Sequence, residues 1–90
     1  MATVIFIVKL MPDSPEADLE ALKIEAKSRL TKMGATQISF EEKPIAFGLM
    51  AVMAQFVMPE EKGSDIVETE LESIPHVSSA TIEEYRRTFG

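Results

Sequence analysis

Two stretches of this chain, TVIFIVKLM (Thr3–Met11) and LMAVMAQFVM (Leu49–Met58), are apolar at nearly every position. Successive side chains of a strand point to opposite faces, so a strand apolar on both faces does not belong at the wet edge of a sheet. The two segments are therefore expected side by side at the centre of one sheet, and the rest of the fold has to be built around that pair.

The connections come from punctuation. Glycine and proline fall only at junctions, at Pro12, Pro15, Gly34, Pro44, Gly48, Pro59, Gly63, Pro75 and Gly90, and they divide the chain into six segments. After the first strand, MPDSP turns the chain. Ser14 before Pro15 reads as a helix N-cap with proline at the first helical position, and Asp18 is a second candidate cap. Leu19, Leu22, Ala26, Leu30 and Met33 form an apolar stripe at helical spacing, with Ile24 off it, and Gly34 ends the helix. Asp18 and Glu20 lie early in this helix and Lys27, Arg29 and Lys32 late, as the helix dipole favours.

Thr36–Glu42 alternates, with Ile38 and Phe40 on one face and Gln37, Ser39 and Glu41 on the other, as in a half-exposed edge strand. Lys43 to Gly48 is read as a connection, because Pro44 cannot donate to a ladder. PEEKG is a polar loop. Asp65–Ile74 is expected to be a second helix, with Asp65 and Glu68 as a capping box and Ile66, Val67, Leu71 and Ile74 on its buried side. Val77 to Phe89 is a last strand, with Ala80 and Ile82 facing one way and Thr81, Tyr85 and Phe89 the other.

The order β-α-β-β-α-β, with right-handed crossovers and a hairpin between the second and third strands, specifies an α+β fold. It is the ferredoxin-like βαββαβ sandwich, a four-stranded antiparallel sheet with two helices on one face, built as a single domain over residues 1–90. The first and third strands are central in that topology, where the doubly apolar segments belong. The uncovered sheet face would show Met, Val, Ile and Ala, a candidate surface for a homo-oligomer or a ligand.

Composition narrows the chemistry. A hydrophobic content of 46 % suits a packed core and not a disordered chain. With no cysteine there is no disulfide or thiol chemistry, and with no secretory signal and no apolar run of the roughly 20 residues a membrane span needs, a cytoplasmic setting is expected. One histidine, His76, provides no metal-ligand cluster. No serine or cysteine stands with a plausible base, and no cofactor loop is present, so no covalent catalysis and no cofactor is expected. An acylphosphatase-like enzyme would need glycine and arginine in the loop after the first strand, and Met11-Pro12-Asp13-Ser14-Pro15 has neither. A net charge of −6 opposes direct nucleic-acid binding. Ala46-Phe47-Gly48-Leu49-Met50-Ala51-Val52 approaches the third-strand motif of RNA-recognition domains, but Ile45, Leu49 and Val52 replace its basic and stacking residues. Phe47 is thus a core side chain or a probe for a protein partner, and the small neighbours Ala46 and Gly48 favour the probe.

Three words carry a resemblance: MPDSPEADLEALK (Met11–Lys23), EKPIAFGLMAV (Glu42–Val52) and VSSATIEEYRR (Val77–Arg87). In order and over essentially the whole chain, the sequence resembles the archaeal elongation factor 1-beta family, nucleotide exchange factors of the translation GTPase elongation factor 1-alpha. The resemblance implies the fold already reached. It implies binding to the GDP form of that GTPase and loosening of the nucleotide at its magnesium and phosphate end. It also implies that the loop Pro44, Ile45, Ala46, Phe47, Gly48 contacts the GTPase, with the Phe47 ring entering an apolar pocket. The family's terminal lysine falls on Arg87, with Arg86 beside it, and arginine offers a planar fork in place of a compact ammonium. A rival reading is a regulatory or assembly module that binds a partner or small ligand through the open sheet face. Exchange predicts exposed apolar surface at the Phe47 loop, with the end of the last strand beside it; the rival predicts it on the sheet.

Overall fold

The computed structural model describes residues 2–61 and 63–89. The expectations for Lys62 in the polar loop, for the Phe89 side chain and for Gly90 lie outside the described residues. In chain order the elements are β1 (Ala2–Pro12), α1 (Leu19–Lys32), β2 (Thr36–Pro44), β3 (Met50–Pro59), α2 (Ser64–Glu72) and β4 (Val77–Phe89). The strands form one sheet in the order β2-β3-β1-β4, every neighbouring pair antiparallel. The doubly apolar segments are the central pair, in the register Val4↔Met58 to Leu10↔Val52.

Their two faces are not buried alike. Val4, Phe6, Val8 and Leu10 on β1 and Val52, Ala54, Phe56 and Met58 on β3 are sealed beneath the helices with Leu22, Ala26, Leu30, Val67 and Leu71. On the other face Ile5, Ile7, Met53 and Val57 are half-buried. Among the described residues no second layer covers them. Cross-strand neighbours stand only about 5 Å apart and shade one another, so a central strand stays apolar there without a covering helix.

Helix boundaries follow the caps that form. Asp18, in extended backbone, accepts a hydrogen bond from the Ala21 amide at 3.1 Å and starts α1. Ser14 and Pro15 do not start it. The Ala17 amide instead donates to the Ser14 carbonyl at 3.3 Å, closing a separate turn before the helix. Gly34, at φ 95°, ends the helix as expected. The capping box at α2 does not form: Gly63 precedes the helix without a side-chain cap, which leaves Asp65 within the first turn, still placed to favour the dipole. Val67, Leu71 and Ile74 are buried, but Ile66 is 56 % exposed, because it lies about 100° around the helix from Val67 and away from the stripe.

One bulge re-aims the end of β4. Val8 pairs with Ile82 but Ile7 pairs with Glu84, which leaves Glu83 as an extra residue. Simple alternation places Tyr85 opposite Ala80 and Ile82. The bulge returns it to their side of the sheet, where it meets Phe6 edge-on at 5.1 Å while Phe6 stacks on Phe56 at 5.3 Å. Arg86 is thereby paired with Ile5 on the open face and Arg87 with Val4 on the helix face.

Candidate functional site: the Phe47 turn and the terminal arginines

β2 runs through Pro44, which lies opposite Met50, two residues beyond the strand end expected from the sequence. An edge strand tolerates this proline. The Ile45 amide points inward and donates to the Leu49 carbonyl at 2.8 Å, so an amide at the preceding position would point away from β3. Between Ile45 and Leu49 the chain makes a tight turn at Ala46–Gly48, closed by the Leu49 amide on the Ala46 carbonyl at 3.2 Å.

Phe47 occupies the left-handed region, φ 62° and ψ 32°, and Gly48 follows at φ 77°. For a bulky side chain such a backbone costs about 1–2 kcal/mol. The conformation turns the ring outward, and Phe47 is 94 % exposed while Ile45 is 37 % exposed. Nothing lies within 4 Å of a Cβ built on Gly48, so glycine serves the backbone angle here and not a tight space. A phenylalanine fully out in water, on a backbone it disfavours, is not a core residue.

The arginines stand elsewhere. The register joins Arg87 to Val4 and Val4 to Met58, while Pro44 pairs with Met50 at the far end of β3. From Met50 to Met58 is about 26 Å at the strand rise of roughly 3.3 Å per residue. The expectation that the Phe47 loop and the last-strand terminus share one end is therefore corrected: they occupy opposite ends of the sheet. Nor do the arginines act as a pair, since they project from opposite faces. Arg86 forms an ion pair with Glu84 of its own strand, and Arg87 forms one with Glu60 at the end of β3. The Glu60 amide donates to the Ala2 carbonyl at 3.3 Å, which anchors the main chain of Glu60 beside the start of β1. Sequence reading places Glu60 only within a polar loop, PEEKG. The contact with Glu60 depends on the β4 bulge and on a non-local register, neither of which leaves a local signal.

The remaining groups organise structure. His76, at φ 71°, brings its Nδ1 within 3.3 Å of Asp13 Oδ2, and the Asp13 amide donates to the His76 carbonyl at 2.9 Å, tying the end of β1 to the start of β4. Among the described residues no group of three or more histidine, cysteine or acidic side chains could hold a metal ion. The open sheet face has a shallow depression of about 380 Å³ bordered by Ile7, Glu41, Lys43, Met53 and Gln55, mixed in polarity. Of the exposed large apolar residues, Ile45, two positions on from Lys43, falls at the margin of that face, whereas Ile24 and Ile66 lie on the helices, Tyr85 on the helix side of the sheet and Phe47 in the turn.

Comparison with known proteins adds the following. The profile of the EF-1 guanine nucleotide exchange domain matches residues 5–88. Elongation factor 1-beta of Methanothermobacter thermautotrophicus is 39 % identical over 88 residues, covering 97 % of this chain and 98 % of that protein. That of Methanoculleus marisnigri is 42 % identical over 85 residues, covering 93 % and 95 %. Among solved structures, the C-terminal domain of MgtC from Mycobacterium tuberculosis superposes with a TM-score of 0.67 at 12 % identity, over 94 % of this chain and 87 % of that one. That likeness is one of fold. No helix among the described residues is long and apolar enough to cross a membrane.

Proposed function

The chain belongs to the EF-1 guanine nucleotide exchange domain family and is an exchange factor for elongation factor 1-alpha; from that premise we propose that it acts through two separated contacts, the Phe47 turn at one end of the sheet and Arg87 at the other. Phe47, flanked by Pro44, Ile45, Ala46 and Gly48, enters an apolar pocket of the GDP-bound GTPase and anchors the complex. Arg87 reaches the magnesium and phosphate end of the nucleotide site, where a cation competes with the metal for the same anions. Arg86, on the other face, meets the partner outside that site.

The observation that carries this reading is the exposed, left-handed Phe47 in a chain of this family. Catalysis here needs no bond made or broken. It needs tighter binding to the nucleotide-free GTPase than to the nucleotide-bound form. The protein works in the cytoplasm without cofactor, membrane or direct nucleic-acid contact. Two contacts set about 26 Å apart along the strands suit one large partner that lies along the sheet. The deciding experiment is release of a fluorescent GDP analogue from elongation factor 1-alpha. Catalytic amounts of the protein accelerate release, and release at the spontaneous rate with folded protein would sink the proposal.

A further inference from the structure

We propose that Glu60 is a positioning residue for Arg87: its carboxylate holds the guanidinium at the end of the sheet in the orientation from which it addresses the partner's anions. The inference rests on the assignment of Arg87 to the nucleotide end of the GTPase and extends it to a residue with no contact of its own to make there.

Three observations carry it. First, the pair is long-range: Arg87 Nη2 meets Glu60 Oε2 across β1, from the end of β4 to the end of β3. Second, the main chain at Glu60 is anchored, because its amide bonds to the Ala2 carbonyl as the ladder runs out. Third, the β4 bulge sets the match. Arg87 pairs with Val4 on the helix face, on the same side as Glu60, whereas the neighbouring Arg86 is turned to the open face and takes Glu84. Without the extra residue the two arginines would exchange faces.

A free arginine side chain samples many rotamers, and a carboxylate that restrains it before the encounter reduces what is lost on docking. The guanidinium presents its N–H donors in a fixed planar fork, so the direction from which it meets an anion is set by how that fork is held. The pair is half-exposed, with side-chain accessibilities of 55 % for Arg87 and 36 % for Glu60, so its influence is modest.

The test is steady-state exchange with elongation factor 1-alpha bound to a fluorescent GDP analogue as the varied substrate, on wild type, Glu60→Gln, Glu84→Gln, Arg87→Ala and the double variant Glu60→Gln/Arg87→Ala. Unfolding midpoints are measured alongside. Glu60→Gln lowers kcat by about two- to fivefold, the range an exposed ion pair can supply, with KM and midpoint unchanged. Glu84→Gln leaves both constants alone, and the double variant is no slower than Arg87→Ala. A Glu60→Gln protein as fast as wild type, or faster, overturns the inference, as does a loss that adds to that of Arg87→Ala. If Arg87→Ala is slow and Glu60→Gln is not, only this inference falls. If Arg87→Ala keeps the full rate, the role of Arg87 falls with it.

Discussion

Phe47 and Gly48 are consecutive residues in left-handed backbone, at φ 62° and 77°, and the first of them leaves 94 % of its surface in water. Folding alone would select asparagine or glycine at the first position and not an aromatic. The strain is affordable only if the ring is needed outside. Phe47→Ala accordingly removes on the order of 2–4 kcal/mol of binding to the GTPase, as truncation of an aromatic anchor does. Its unfolding free energy changes by no more than about 0.5 kcal/mol. Phe47→Asn loses exchange equally and is as stable as wild type or more so, since asparagine tolerates this backbone. Exchange rates and denaturant midpoints on the two variants check the point, and a large loss of stability in Phe47→Ala would contradict it.

Gly48 tests the backbone instead of the ring. A methyl group there meets nothing within 4 Å, so Gly48→Ala introduces no clash. It still puts a Cβ on a left-handed residue, at about 1–2 kcal/mol. The turn relaxes and Phe47 is no longer held in place. We expect an unfolding free energy lowered by that amount and slower exchange although Phe47 is intact. Unchanged stability would show that the turn has another conformation of equal energy.

The terminal arginines separate by face. Arg87→Ala slows turnover more than it weakens complex formation, because a charge that acts on bound anions contributes chiefly as the nucleotide leaves. Arg86→Ala, on the open face with Glu84, changes turnover less. Single-turnover release set against equilibrium binding distinguishes the two effects. Equal losses from both variants would mean that general positive charge, and not one placed guanidinium, is what the partner senses.

What could be read from the sequence follows from the range of the interactions concerned. The central place of β1 and β3 was legible because apolar periodicity is local and their burial demanded it. The stripe Leu22, Ala26, Leu30 was legible for the same reason. Asp18 competed with Ser14 as a cap, and the outcome turned on which side chain reached an amide three residues on. Tyr85 was assigned to the wrong face because the bulge at Glu83 is a property of the β1–β4 pairing and not of β4. The outward position of Phe47 was legible from its own residues, proline before it and small neighbours around it. Its distance from Arg87 was not, since that depends on how four strands align.

The last prediction concerns pH. Lys23 on α1 donates to Glu42 of β2 at 2.6 Å and to Glu20 at 3.2 Å, joining the helix to the strand that leads into the Phe47 turn. The hydrogen bond to Glu42, then that to Glu20, holds the ammonium above its ordinary value of 10.5. A group whose pKa is raised on folding stabilises the fold fully below the unfolded value and loses that contribution as pH rises through the folded one. Stability should therefore carry no Lys23-dependent slope across neutral pH and should fall with a Lys23-dependent component above about pH 10.5. The measurement is a difference, which cancels pH effects common to both proteins: unfolding midpoints of wild type and Lys23→Met from pH 7 to about 11. The two curves should run parallel at neutral pH and converge on the alkaline side. Curves that stay parallel throughout would show that the bridge between α1 and β2 contributes nothing through its charge.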